Sequence, residues 1–250
     1  MAKKTIDITP QHKTGIRPLY FGLLIVGLIV LLLVNLALGS VDIPLGDIVR
    51  ILVGGEAANE AWNKIIINIR IPRAVTAVLA GSALSVGGLL MQTLFRNPLA
   101  GPSVLGITAG ASLGVAIVML AGGTITSIFA IQQLSAFGSW VIVIAASFGA
   151  AAVLLLILLI SIKVRDNVTL LIIGLMIGNL TIALVIIWQY FSRPEQIQDY
   201  LIWTFGSLGG VPLDQLWILA VMSLVGGGIS MALSKPLNGL LLGADYGRDM

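Results

Sequence analysis

Residues 97–162 form a stretch of 66 residues that contains no aspartate, glutamate, lysine or arginine. Such a stretch cannot cover the surface of a soluble domain, in which about a quarter of the residues are charged. The whole chain of 250 residues is 58% hydrophobic and only 10% charged. The sequence therefore predicts an all-α fold, a polytopic bundle of transmembrane helices whose main solvent is lipid.

The intervals between charged residues indicate where the chain crosses the membrane, because one transmembrane helix needs about 20 apolar residues. The intervals of sufficient length are 18–41, 74–95, 97–162, 167–192 and 215–234, and the interval 97–162 holds two spans. We therefore expect six spans. The domain boundaries that follow are a tail at 1–18, a transmembrane domain at 19–234 and a terminal segment at 235–250.

The first span and the loop charges together indicate that both ends of this chain lie in the cytoplasm. Ala37 and Gly39 are similar to the small residues of a signal-peptide cleavage site, but an apolar core of roughly 20 residues exceeds the 7 to 15 of a signal peptide. With six spans, one face of the membrane receives nine lysines and arginines and the other receives five. Positively charged loops stay in the cytoplasm, so the face that carries the N-terminal tail is predicted to be cytoplasmic.

Residues able to carry catalysis are scarce. The only histidine, His12, lies in the tail, there is no cysteine, and no G-x-x-x-x-G-K-[ST] phosphate-binding motif occurs. We therefore predict no enzyme, no metal site and no cofactor bound by this chain, so that active transport would need energy from a partner. Nucleic acid is not an expected partner, because the net charge is only +3 and the basic residues are scattered.

Two proline-containing motifs flank the second span. At its start, the sequence R-I-P-R at 70–73 places Pro72 where it fixes the first turn of the helix. This holds Arg70 and Arg73 at the outer membrane face, where snorkelling without any partner is the alternative interpretation.

At the far end of the second span, the sequence predicts a structural turn at Arg96, Asn97 and Pro98. Pro98 cannot continue the helix, and it restricts the backbone of Asn97. A turn of this kind needs no function to explain it.

The segment 70–111 contains R-I-P-R, a helix rich in small residues, and then Q-T-L-F-R-N-P-L-A-G-P-S-V-L-G-I-T-A-G-A. In order, spacing and identity it closely resembles the FecCD-type permeases of ABC importers, which take up ferric siderophores, haem and cobalamin. Residues 200–208 resemble the family's short helix between the fifth and sixth spans. Residues 242–250 are similar to its cytoplasmic coupling segment, although Ala244 and Gly247 stand where the family usually has Glu and Ala.

The resemblance implies a multi-pass permease subunit of the bacterial cytoplasmic membrane that moves a ferric siderophore or a related haem- or cobalamin-type cargo. It implies a second permease subunit, the same or different, two ABC ATPases that hydrolyse ATP, and a periplasmic or lipoprotein solute-binding protein. Members of the family have about ten spans, so a chain that ends inside the coupling segment after six is expected to be partial. The alternatives from other classes are a secondary carrier or channel and a structural membrane subunit without transport.

Three groups of residues are candidates for function. The resemblance implies that Arg70 and Arg73 pair with carboxylates on the binding protein. Small and polar residues on a broad face of the fifth span, with two aromatic residues of the short outer helix, are predicted to line the translocation pathway, and helix packing is the alternative. These residues are Gly174, Gly178, Asn179, Trp203 and Phe205.

The third group follows Pro236, where leucines recur at helical spacing and predict a short amphipathic helix at the cytoplasmic surface. Gly243 is expected to end this helix with a left-handed cap. As a coupling element it would bury Leu240, Leu241 and Leu242 in a groove of the ATPase, with Arg248 at the rim. The alternative is an ordinary interfacial loop.

Overall fold

The computed structural model describes residues 18–120, 135–164, 166–209, 211 and 213–242. These residues form ten α-helices and no strand: α1 (Pro18–Ala37), α2 (Leu45–Leu52), α3 (Glu60–Ile65), α4 (Ile71–Phe95), α5 (Ile107–Leu120), α6 (Ser135–Ser161), α7 (Asn167–Tyr190), α8 (Pro194–Phe205), α9 (Leu213–Ala232) and α10 (Ser234–Leu242). A π-helical turn, Ile66–Arg70, joins α3 to α4, and a 3₁₀ turn, Pro102–Leu105, precedes α5. The predicted all-helical fold is confirmed.

Five of the predicted spans are helices long and apolar enough to cross a membrane. They are Pro18–Ala37, Glu60–Phe95, Ser139–Ser161, Asn167–Tyr190 and Gln215–Ala232. The third predicted span corresponds to the shorter apolar helix Ile107–Leu120, which is 14 residues long. Residues 121–134, where the sequence places the turn to the next span, lie outside the described residues. The second span differs from its prediction, because the helix begins at Glu60 rather than after Arg73.

The chain divides by its internal contacts into two units, Met1–Ala74 and Val75–Met250. In the first unit, buried apolar side chains join the last turns of α1 to α2 and the π-helical turn. Asp47 occupies the first turn of α2, where a negative charge is favourable, while Ile48 and Ile51 lie one turn apart and face inward. The buried cluster consists of Leu36, Ile43, Ile48, Ile51, Ile66 and Ala74.

In the second unit, α5 is the central helix and packs against α6, α7 and α8. Glycines allow the close crossing of α5 and α6, because a Cβ added to Gly114 would lie 2.1 Å from the carbonyl oxygen of Ala145. In lipid there is no hydrophobic gain from helix association, so close van der Waals contact through small residues holds helices together. The glycines of α5 and α6 are therefore packing residues at this crossing.

Candidate functional site

Arg70 closes the C-terminal end of α1. Its Nη1 donates hydrogen bonds to the carbonyl oxygens of Leu36, at 2.5 Å, and Ala37, at 2.9 Å, and its Nη2 donates to the carbonyl of Val41. The last carbonyls of a helix have no partner within the helix, and a positive charge is favourable there. Arg70 is only 7% exposed. The structure thus shows Arg70 as the cap of a helix, and its predicted pairing with a carboxylate of a binding protein stays a prediction.

Arg73 lies one turn further along and has a different environment. Its side chain is exposed, and the described residues offer it no hydrogen bond or ion pair. Of the two arginines predicted to dock a partner, Arg73 is the one that the fold leaves available. The docking role itself stays a prediction.

The turn after α4 is present where the sequence predicts it. The amide of Asn97 donates to the carbonyl of Gln92 at 3.1 Å, and the amide of Arg96 donates to that of Thr93 at 3.3 Å. Arg96 takes a left-handed conformation with φ of 48°. This is the Schellman arrangement of a helix C-terminus, with arginine at the position that glycine usually occupies. The Asn97 side chain then accepts from the amide of Leu99 at 2.9 Å, and Pro98 ends the helical path.

Gly174 and Gly178 are buried against the turn that leads into α5. A Cβ added to Gly174 would lie 2.9 Å from the Cα of Leu105, and one added to Gly178 would lie 3.2 Å from the Cα of Gly106. Gly106 itself has φ of 74°, a conformation that a side chain disfavours. These contacts place both α7 glycines in a packed interface, which is the alternative to pathway lining.

The other predicted pathway residues are more open. Asn179 is exposed on α7, next to the buried Gly178. Phe205 ends α8 and is 82% exposed, whereas Trp203 is half-buried against the cluster that contains Tyr200. Tyr200 connects α8 to α5 through a hydrogen bond, in which its hydroxyl donates to the carbonyl oxygen of Ser112 at 3.4 Å. The structure thus separates the five residues into two packed glycines, one half-buried tryptophan and two exposed side chains.

The helix predicted after Pro236 is present as α10, Ser234–Leu242. The break from α9 falls at Leu233 rather than at Pro236, which occupies the first turn of α10, where its missing N–H does no harm. Leu240, Leu241 and Leu242 are helical, while Gly243 and Arg248 lie outside the described residues. A groove of about 520 Å³ runs beside this helix, lined by α4, α9 and residues of α10 that include Leu237.

Sequence reasoning missed the N-cap of α7. Asp166 accepts hydrogen bonds from the amide of Thr169 at 2.8 Å and from its hydroxyl at 2.6 Å. These bonds from Thr169 stabilise the carboxylate and lower the pKa of Asp166 below its ordinary value. The signal was present in the sequence, since Asp followed three residues later by Thr, ahead of an apolar run, is typical of a helix start.

The helices, their apolar lengths and their small-residue crossings define a polytopic helical membrane protein. Comparison with known proteins identifies the group within that class. The sequence profile of the FecCD transport family matches residues 27–250, and the chain belongs to this family.

Several curated proteins are similar to this chain over most of its length. The hemin transport system permease protein HmuU of Yersinia pestis is 34% identical over 221 residues, 88% of this chain and 64% of that protein. The vitamin B12 import system permease protein BtuC of Klebsiella pneumoniae is 32% identical over 231 residues, 92% of this chain and 63% of that protein. The molybdate import system permease protein MolB of Haemophilus influenzae is 28% identical over 226 residues. This chain spans just under two thirds of the length of these relatives.

A solved structure has the same fold. It is the inward-facing conformation of an ABC transporter assigned to the metal-chelate type, with a TM-score of 0.74 and 24% sequence identity. The likeness covers 93% of this chain and 68% of the other.

Proposed function

We propose that this chain is a permease subunit, or the larger part of one, of an ATP-binding-cassette importer in the bacterial cytoplasmic membrane. The observation that carries the proposal is the match of the FecCD transport family across residues 27–250, on a chain whose helices lie at the six predicted span positions. The relatives named above as permeases of import systems support it. The chain itself does not act as an enzyme in this proposal.

Energy is supplied by ATPase subunits on the cytoplasmic face. A permease changes access from one side of the membrane to the other, and such a change must be driven by a partner that binds the two states differently. The candidate contact is α10 with its leucines at 240–242, followed by Gly243 and Arg248. The N-terminal tail lies on the same side of the membrane in this proposal.

Import also requires delivery of the cargo, and a solute-binding protein on the opposite face provides it. Arg73 is exposed and has no described ion-pair partner, so it is available to a carboxylate of that protein. A rim charge of this kind steers encounter and orientation more than it adds affinity. A second permease subunit, identical or similar to this one, completes the translocation pathway, which lies between the two permease subunits.

The cargo we propose is a metal chelate, a ferric siderophore or a haem- or cobalamin-type compound. Two of the relatives carry hemin and vitamin B12 in their names, and the molybdate relative is the competing precedent. Asn179 and Phe205 are exposed and supply one polar and one aromatic contact surface, which suits a large ligand with mixed character.

The experiment is co-purification of the tagged full-length gene product with an ABC ATPase and a solute-binding protein from the same organism. We expect the Leu241→Asp variant to lose the ATPase, because it would bury a charge without a partner in the groove of the ATPase, which costs several kcal/mol. Asn238→Asp is the matched control, since Asn238 is exposed on the same helix. Capture of the ATPase by Leu241→Asp at the unchanged level would refute the coupling assignment, and absence of both partners from the unsubstituted protein would refute the importer.

A further inference from the structure

A pocket of about 590 Å³ lies at the C-terminal end of α1, formed only by residues of the first unit. Its apolar wall includes Leu31 and Val34 of α1, Leu38 directly after that helix, and Ile65 and Ile69 from α3 and the π-helical turn. Leu31 and Leu38 are seven residues apart, which is about 10 Å along a helix. The wall therefore extends down the side of a membrane span from its end.

Two arginines and an amide line the same pocket. Arg70 and Arg73 are one helical turn apart, and Asn35 lies on α1. Arg70 is more than nine-tenths buried, and its three acceptors are neutral carbonyl groups. The described residues provide neither arginine with a carboxylate.

The carbonyl groups at the end of α1 stabilise the buried charge of Arg70 but carry no full negative charge, so an anion close to it would stabilise it further. Among the described residues of the first unit, no acidic side chain supplies the counter-charge. Asp47 lies near Arg50 at 3.8 Å and Glu60 pairs with Lys64 at 2.9 Å. Asp42 and Glu56 are exposed and do not line the pocket. The pocket is thus positively charged at one end and apolar along the rest.

We propose that this pocket binds one anionic phospholipid. Its phosphate lies at Arg73 and Asn35, beside the buried charge of Arg70, and one acyl chain follows Leu31, Val34 and Leu38. The end of a membrane span is where lipid headgroups lie, and cationic side chains at that depth attract anionic lipid. A free inorganic anion would satisfy the arginines but would leave the apolar wall uncovered.

Arg73 is also the residue that we propose for docking the solute-binding protein, so the lipid and that protein would compete for it. The two proposals are separable, because lipid binding can be measured with no binding protein present. Failure of lipid binding leaves the importer proposal intact, and failure of docking leaves the lipid site intact.

The test is native mass spectrometry of the full chain in detergent, with phosphatidylglycerol, phosphatidylcholine or inorganic phosphate added. We expect the chain to retain one phosphatidylglycerol in preference to phosphatidylcholine, and we expect millimolar inorganic phosphate not to displace it. Arg73→Gln should weaken retention about fivefold, the effect of one cationic contact at a membrane surface. Arg50→Gln is the matched control, since Arg50 is in the same unit but does not line the pocket.

A second variant probes the apolar wall without touching a charge. Val34→Trp places a large ring where the acyl chain would lie, and it should reduce phosphatidylglycerol retention while the helical circular dichroism is unchanged. Equal retention of the two lipids by the unsubstituted chain would overturn the proposal. So would unchanged retention in both Arg73→Gln and Val34→Trp, or displacement of the lipid by inorganic phosphate, which would indicate a site for a free anion.

Discussion

Gly149 of α6 lies so close to Gly110 of α5 that a Cβ atom added to Gly149 would be 2.1 Å from the Gly110 carbonyl oxygen. The contact is reciprocal, because a Cβ added to Gly110 would be 2.6 Å from the carbonyl oxygen of Gly149. The obstacle in both cases is backbone, which cannot rotate away as a flexible side chain can. The two helices therefore keep this distance only while both positions are glycine.

The first prediction follows from that contact. Gly149→Ala should separate α5 from α6 and lower the stability of the chain by about 1–3 kcal/mol, the usual cost of overpacking a close contact. The measurement is thermal unfolding in detergent, followed by circular dichroism. Gly81→Ala is the matched control, since nothing lies within 4 Å of the added Cβ. Equal effects of the two substitutions would contradict the crossing.

The second prediction separates packing from pathway lining on α7. The chain has no cysteine of its own, so single cysteines report cleanly. We expect the thiol of Gly178→Cys to resist water-soluble reagents, because a Cβ added to Gly178 would lie only 3.2 Å from the Cα of Gly106. Asn179→Cys, at the neighbouring exposed position, should react if it lines a water-filled route. Labelling of Gly178→Cys as fast as Asn179→Cys would show that this interface opens.

The third prediction concerns the cap on α1. Arg70→Met removes three hydrogen bonds to carbonyl groups and should cost about 1–3 kcal/mol, the penalty for leaving a buried polar group unsatisfied. Arg70→Lys should lose less, since it keeps the positive charge at the helix end but not the planar geometry. Thermal unfolding of the unsubstituted chain, Arg70→Lys and Arg70→Met measures their order of stability. Arg73→Met is the control, and a loss as large as that of Arg70→Met would refute the cap.

The fourth prediction is a pH dependence at the start of α7. The folded state lowers the pKa of Asp166, so the stabilising effect is complete above the ordinary aspartate pKa and is lost as the pH falls through the folded-state pKa. Asp166→Asn keeps a cap acceptor that does not titrate. We expect the Tm advantage of the unsubstituted chain over Asp166→Asn to shrink between about pH 6 and about pH 3. A difference that stays constant would exclude this carboxylate as the cause.

The positions of the long helices were predictable because, in lipid, charged side chains are expelled from spans and the intervals between them measure length directly. The turn at Arg96 was predictable for a related reason, since proline blocks a helix locally whatever lies around it. Both depend on residues that are near each other in the sequence.

The features that were not predicted depend on partners distant in the sequence. Arg70 was interpreted as a surface residue because nothing nearby shows that its acceptors lie more than 28 residues away, at Leu36, Ala37 and Val41. The start of the second span is predicted after Arg73 because the charged residues up to Arg73 interrupt the apolar sequence, whereas the helix continues back through them to Glu60. Glycines at helical spacing likewise fit a translocation pathway and a packed helix interface equally well. At Gly178, only the closeness of the Gly106 backbone shows that the residue lies in a packed interface.

The π-helical turn Ile66–Arg70 holds about one residue more than an α-helical turn does for nearly the same rotation about the helix axis. Loss of one residue here would return the segment to regular α-helix and would leave the helix before it and the helix after it on nearly the same faces. A deletion in the middle of α4, in contrast, would rotate one part of that helix by about 100° relative to the other. The π-helical turn is therefore the place in this long helix where the loss of a single residue disturbs the flanking contacts least.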